Sequence, residues 1–264
     1  MTPTAEVAVI GGTGFYSFLD DAVEVTVETP YGSPAAPLTI GDVGGRRVAF
    51  LPRHGRRHEL LPHRINYRAN LWAMREVSVT RIVGPCAAGS LQPAVAPGDF
   101  VVLDQLVDRT SGRADTFYEG PVAHHVSYAD PYCGELSGVA VEAARAAGIT
   151  IHPTGTVVVI QGPRFSTRAE SRWYRNQGWE VINMTQYPEA YLARELGICY
   201  AAIALITDYD TGVEGEAAAK PVNQAEVFGF FKSNLDRVRT LLFDVIAAIP
   251  EKRGCECAEA VGPL

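Results

Sequence analysis

The chain has 264 residues, 47% of them hydrophobic and 20% charged, and its 23 Lys and Arg against 30 Asp and Glu give a formal net charge of −7. That length suits one hydrophobic core and that balance a water-soluble globule, while a pI of about 5.4 argues against a nucleic-acid partner. The longest apolar run, residues 199–206, is under half of the roughly 20 residues a bilayer crossing needs, so no membrane association is expected.

Residues 1–6 lack a charged n-region and lead into a strand-like run; no secretory signal is expected, and the compartment should be the cytoplasm. Apolar runs of strand length recur at residues 7–10, 48–51, 81–83, 100–103, 156–160, 181–182 and 201–206. Several are apolar throughout, as in strands covered on both faces. Residues 23–51, with turns at Pro30-Tyr31-Gly32 and Gly44-Gly45, read as a hairpin, which makes the sheet mixed.

Helical spacing appears between these runs. Residues 66–77 carry Leu71, Met74 and Val77; residues 135–147 stop at Gly148, and residues 189–196 at Gly197. Residues 224–249 set Val227, Phe231, Leu235, Val238, Leu242, Val245 and Ile249 on one stripe before Pro250, which predicts a single long helix. The alternation of strands and helices predicts an α/β fold, a three-layer α/β/α sandwich with a mixed central sheet. One domain should span residues 1–264, with 1–5 and 250–264 as mobile tails.

Candidate chemistry clusters at the ends of the predicted strands. Gly11-Gly12-Thr13-Gly14 follows the first, where glycines let backbone amides approach an anion. A dinucleotide-binding reductase is the distant alternative for this motif. The third glycine of its fingerprint would be Ser17, and no acid stands where the ribose needs one. After another strand, residues 52–68 hold three of the six histidines and five arginines, a local inversion of charge suited to phosphate. A small-residue loop, 84–90, is expected after the strand at 81–83, so that three loops converge on one anion.

Gln161-Gly162-Pro163-Arg164-Phe165-Ser166 ends a further strand, and its Phe165 is either core or a stacking surface for a planar ligand. Ile182-Asn183-Met184-Thr185 puts a methionine and a hydroxyl at another. Thr207-Asp208-Tyr209-Asp210 ends the last strand; Asp208 and Asp210 share a side if the strand continues. In an apolar pocket such a pair raises its own pKa values, which suits one member to proton donation, although carboxylates here also cap helices.

The five cysteines form no disulfide framework. Cys86, Cys133 and Cys199 read as small buried residues. Cys255-Glu256-Cys257 offers a strained disulfide or half a metal site, but no second Cys/His pair has zinc-ligand spacing, and a plain tail is preferred.

In this order, Gly11-Gly12-Thr13-Gly14, Arg53-His54-Gly55, Asn66-Tyr67-Arg68-Ala69-Asn70, Gly162-Pro163-Arg164-Phe165-Ser166, Ile182-Asn183-Met184-Thr185 and Thr207-Asp208-Tyr209-Asp210 resemble the purine nucleoside phosphorylase superfamily, specifically its 5′-methylthioadenosine phosphorylase branch. The resemblance runs from Val7 to about Ile249 and implies phosphorolysis. Phosphate attacks C1′ of a 5′-modified adenosine and releases adenine; phosphate is a co-substrate, and no cofactor or metal is implied. A 6-oxopurine nucleoside or methylthioinosine phosphorylase is the nearer alternative.

The resemblance further implies phosphate contacts from Thr13, Arg53, His54, the Ala87 amide and Thr185. Cys86 stands where related enzymes have a phosphate-contacting threonine. Ile182 belongs to the substrate set, Met184 lies against the ribose, Phe165 on the purine, and Ser166, Asp208 and Asp210 at its edge. Asp208 is the implied acid at N7 and Asp210 the acceptor from the 6-amino group, whereas the 6-oxopurine branch has asparagine in place of Asp208. His125, Val222, Asn223, Gln224, Val227 and Phe228 should line the 5′ end, His125 reaching in from a neighbouring subunit of a homotrimer. The rest of the basic stretch, including Arg56, Arg57 and His58, is left to order the loop or a subunit contact.

Overall fold

Alternation along the strands divides their side chains between two cores. In β1 (Val7–Gly11) Ala8 and Ile10 join one apolar cluster, and Val7 and Val9 join a second across the sheet. The computed structural model describes residues 3–211, 213 and 221–262. After β1 come β2 (Val23–Val25), β3 (Leu38–Val43), β4 (Arg46–Pro52), α1 (Tyr67–Glu76), β5 (Arg81–Ser90), β6 (Phe100–Val102), β7 (Gln105–Arg109) and α2 (Gly134–Ala146). There follow β8 (Ile151–His152), β9 (Thr156–Ile160), α3 (Arg168–Asn176), β10 (Val181–Asn183), α4 (Gln186–Glu195), β11 (Cys199–Tyr209), α5 (Gln224–Ser233) and α6 (Leu235–Ala248).

Helices α1 and α4 cover one face through Leu71, Met74 and Leu192, and α2, α5 and α6 the other through Leu136, Phe231 and Val238. The result is the expected three-layer α/β/α sandwich. Its sheet is mixed and runs β2-β3-β4-β1-β5-β10-β9-β7, with β11 also on β5, β6 on β11 and β8 on β6. Among the described residues no helix is long and apolar enough to cross a membrane.

Several expectations are corrected. The loop expected at 84–90 is the second half of β5, paired with β11 through Ser90. Its small residues are there for clearance: a Cβ on Gly84 would collide with the Tyr200 ring, and one on Gly89 would lie 3.0 Å from Asp208 Oδ1. The expected single last helix is two. Asn234, at φ −107°, ends α5 and donates through Nδ2 to Phe230 O at 3.0 Å, competing with the helical backbone as asparagine does. Helix α3 went unpredicted because it has no apolar stripe, only Ser171 and Tyr174 being buried; its sequence signal is the capping box of Thr167 and Glu170.

Both ends make contacts with the body. Ala5 is buried and donates to Val77 O. Residues 250–262 pack against the body through Arg253 Nη1 to Gly197 O at 2.9 Å and Gly254 N to Glu135 Oε1 at 2.9 Å, with Cys257 buried. The remainder of the two expected tails, residues 1–2 and 263–264, lies outside the described residues.

Candidate active site

One edge of β5 carries β1 at residues 81–83 and β10 at residues 89–90, and among the described residues no strand pairs between them. Backbone carbonyls in this gap are taken by side chains instead: Pro85 O accepts from Arg53, and Ala87 O from Asn183. The gap opens a cavity of about 220 Å³ at the strand ends, where α/β sheets commonly bind ligands. Its lining brings together Thr13, Arg53, His54, Cys86, Ala87, Phe165, Ser166, Ile182, Met184, Thr185, Asp208, Asp210, Gln224, Val227 and Phe228.

No helix follows the Gly11-Gly12-Thr13-Gly14 turn; the chain goes on to β2, so the dinucleotide-binding arrangement is absent. Glycine is required at this turn by close approach: a Cβ on Gly11 would lie 2.4 Å from Phe15 O, and one on Gly12 2.6 Å from Arg53 Nη1.

Arg53 sits below this turn and exposes none of its surface. Its Nε donates to Glu189 Oε2 at 2.8 Å and its Nη2 to Glu189 Oε1 at 2.7 Å and Ile10 O at 2.8 Å. With Nη1 on Pro85 O at 3.0 Å, four of the five guanidinium N–H groups are used, leaving one for a ligand. Burial opposes the charge on Arg53, and Glu189 more than restores it. Tyr200 OH donates to Glu189 Oε1 at 2.5 Å, completing a buried network. Arg53 therefore brings less net charge to the cavity than the basic stretch promises.

His54 is a neutral base. Burial lowers its pKa to about 3, and its Nδ1 faces Leu60 O at 2.9 Å, so the proton belongs on Nδ1 and Nε2 keeps a lone pair. His58 stacks on it with ring centroids 4.3 Å apart, bonds Tyr16 OH at 3.1 Å and meets the Phe228 ring at 4.7 Å. Cys86 is buried, and its thiol is pushed up to about 12 by that burial. Asn183 Oδ1 accepts from the Thr185 and Gln186 amides at 2.6 and 2.9 Å; this fixes Thr185, whose hydroxyl makes no capping bond.

At the opposite end β11 continues through Tyr209, after a register shift between Ile206 and Asp208, and both carboxylates line the cavity. Thr207 Oγ1 donates to Asp208 Oδ2 at 2.7 Å. Burial, reinforced by Asp210 and Glu226, raises Asp208 to about 6 despite that bond. Burial raises Asp210 as well. Two buried oxygens here, Ser166 Oγ and Asp210 Oδ2, have no partner among the described residues. Unmet polar atoms beside an aromatic face, that of Phe165, suit a planar ligand with polar edges.

The 5′-end expectations divide. Gln224, Val227 and Phe228 line the cavity; Val222 and Asn223 do not. Asn223 Oδ1 instead caps α5 by accepting from Glu226 N at 2.9 Å. His125 lies in a separate open cavity with Asp115, Tyr118 and Tyr191. His58, expected only to order the loop, joins the lining, and Arg53 is held by Glu189, itself bonded by Tyr200, neither of which was expected at the site. Glu189 carried one signal: a carboxylate on the buried face of a predicted helix needs a cation.

The profile of the phosphorylase superfamily matches residues 6–249. The purine nucleoside phosphorylase of Streptomyces coelicolor is 53% identical over 98% of this chain and 95% of its own length. The S-methyl-5′-thioadenosine phosphorylase of Thermofilum pendens is 49% identical over 97% of both chains. Among solved structures, methylthioadenosine phosphorylase from Schistosoma mansoni in complex with adenine superposes with a TM-score of 0.91 at 36% identity, covering 97% of this chain and 96% of the other.

Proposed function

We propose that this chain, which belongs to the phosphorylase superfamily, catalyses phosphate-dependent cleavage of 5′-methylthioadenosine to adenine and 5-methylthioribose 1-phosphate. The observation that carries the reading is a single cavity with a neutral anion cradle at one end and a raised carboxyl at the other. Phosphate sits among Thr13, the free Arg53 N–H, His54, the Ala87 amide and Thr185. A phosphate oxygen bonds to C1′ as the C1′–N9 bond breaks. Asp208 delivers its proton to N7 of the departing base, Asp210 accepts from the 6-amino group, Ser166 and Phe165 hold the purine, and Ile182 and Met184 flank the sugar. No organic cofactor or catalytic metal enters this scheme.

His54 takes a specific part in it. With its Nε2 lone pair toward the anion, it accepts from the proton that hydrogen phosphate itself carries. Cys86, a poor donor, makes the cradle weaker than a threonine would. Cys86→Thr is expected to lower the KM for phosphate by about 2- to 10-fold, the worth of one added neutral hydrogen bond. Initial rates at varied phosphate check this, and an unchanged KM would exclude residue 86 from the cradle.

The 53% identity to an enzyme named purine nucleoside phosphorylase favours a second reading, in which 6-oxopurine nucleosides are also cleaved. The fraction of Asp208 that is protonated near pH 6 suits it to a carbonyl as well as to an amine. The 5′ end is bulky and partly polar, with Gln224 and Phe228, which favours testing small 5′ groups. We assign a homotrimer, with His125 of the partner subunit closing this end, a cytoplasmic location, and a place in purine and methionine salvage.

One panel tests the whole reading: base release from methylthioadenosine, methylthioinosine, adenosine, inosine and 5′-deoxy or 5′-halo analogues, each with and without phosphate. Methylthioadenosine should give the highest kcat/KM, and only with phosphate. Phosphate-independent release would make the enzyme a hydrolase instead.

A further inference from the structure

Cys133, Cys199, Cys255 and Cys257 are far apart in the chain, yet their sulfur atoms all lie within 4.8 Å of one another. Cys133 precedes α2, Cys199 opens β11, and the other two come from the docked C-terminal segment. Three are buried, and the surroundings are the second apolar core, including Leu136, Ile246 and Ile249. All four are free thiols, and Cys199 Sγ lies 3.3 Å from Cys255 Sγ.

Four sulfurs at the corners of a tetrahedron around zinc, at Zn–S of about 2.3 Å, are about 3.8 Å from each other. The observed grouping matches that spacing to within about an ångström. Four bare thiolates would repel one another in an apolar core, and a dication resolves the conflict. Arg194 supports the remaining charge, with Nη1 3.7 Å from Cys257 Sγ. Such a shell of hydrogen bonds beyond the ligands is usual for metal sites.

We propose that these four cysteines bind a structural Zn²⁺ ion that pins the C-terminal segment to the base of β11 and α2. Binding forms four Zn–S bonds and releases one proton from each thiol, with no change of oxidation state. Four protein ligands leave no open position, so the ion takes no part in phosphorolysis. Nine residue steps along β11 separate Cys199 from Asp208, roughly 30 Å at the rise of a strand, so the site is independent of the function proposed for the cavity. In the sequence only Cys-Glu-Cys marks this site, because Cys133 and Cys199 are isolated in the chain and meet the tail only in the fold.

The test uses the full chain purified under a thiol-free reductant, with metal content by mass spectrometry and thiols by titration before and after a mercurial displaces the metal. About one zinc per chain is expected. Four thiols should become reactive only as it leaves, and Co²⁺ in its place should give thiolate charge-transfer and tetrahedral d–d bands. Cys255→Ser/Cys257→Ser should lose the zinc and lower Tm while kcat/KM stays within about twofold, which separates this site from the catalytic one. A metal-free chain with four reactive thiols, a mass lower by two hydrogens per disulfide formed, or iron in place of zinc would each overturn the proposal. The wild-type metal content decides even if the double variant does not fold.

Discussion

Replacing Asp208 with asparagine is expected to cut kcat/KM for methylthioadenosine by about 10²- to 10⁴-fold, the usual worth of a positioned proton donor. The carboxyl is held near pKa 6 by burial, with Asp210 and Glu226 adding to it, so a useful share is protonated at neutral pH. The amide keeps the shape and loses the proton. It also exchanges an acceptor for a donor, so the ratio of methylthioinosine to methylthioadenosine cleavage should rise.

The pH profile carries the sign of the effect. In the wild type, kcat/KM for methylthioadenosine should fall as pH rises through about 6, as the donor ionises. The variant should lose this limb and keep only the limb that belongs to phosphate. Stability moves the opposite way. A carboxyl whose pKa is raised on folding stabilises the native state below its unfolded pKa, and that contribution is lost as pH rises through the folded value. Above about pH 7 the ionised Asp208 costs the native state on the order of 1–3 kcal/mol, and the variant should melt higher there than the wild type. Wild-type rates with the wild-type pH profile would remove Asp208 from catalysis.

Glu189→Gln should have the largest effect on stability. It leaves Arg53, which exposes no surface, without the carboxylate that receives two of its N–H groups. Breaking a buried pair from one side typically costs about 3–5 kcal/mol. At roughly 2–4 °C per kcal/mol for chains of this size, Tm should fall on the order of 10 °C. The unpaired guanidinium beside Gly12 then faces the anion cradle, so phosphate should raise the Tm of the variant by more than it raises that of the wild type. Thermal melts with and without phosphate measure both. An unchanged Tm would mean that Arg53 is not held by Glu189, and an equal phosphate shift would place Arg53 outside the cradle.

The two replacements probe opposite ends of one cavity, and the ends differ in how far the sequence disclosed them. Asp208 and Asp210 were legible because side chains two apart on a continuing strand face one side. Gly12 and Thr13 were legible because a glycine turn after a strand is a local device. Arg53 was legible as a cation but its partner was not: a carboxylate on the buried face of a helix calls for some cation, and Glu189 lies 136 residues away in sequence. The basic stretch thus looked like a strong anion clamp, where the fold offers one spare guanidinium N–H, a neutral histidine and hydroxyls. His58 was set aside as loop support because nothing local shows that its ring stacks on His54 and meets Phe228.

By itself the sequence determined what depends on near neighbours: the apolar strand runs, the helix stops at Gly148 and Gly197, the hairpin at the start of the mixed sheet, and the order of motifs that places the chain in its superfamily. Only the tertiary structure decided what depends on pairing across the chain. It showed that residues 84–90 are strand, since small side chains there leave room for Tyr200 and Asp208, and that this strand has a bare edge between β1 and β10 where the cavity forms. It also drew four scattered cysteines to one point. The physical reason is common to all of these: propensity and periodicity act over a few residues, whereas clearance, charge pairing and ligand geometry are settled by atoms that meet only after the chain has folded.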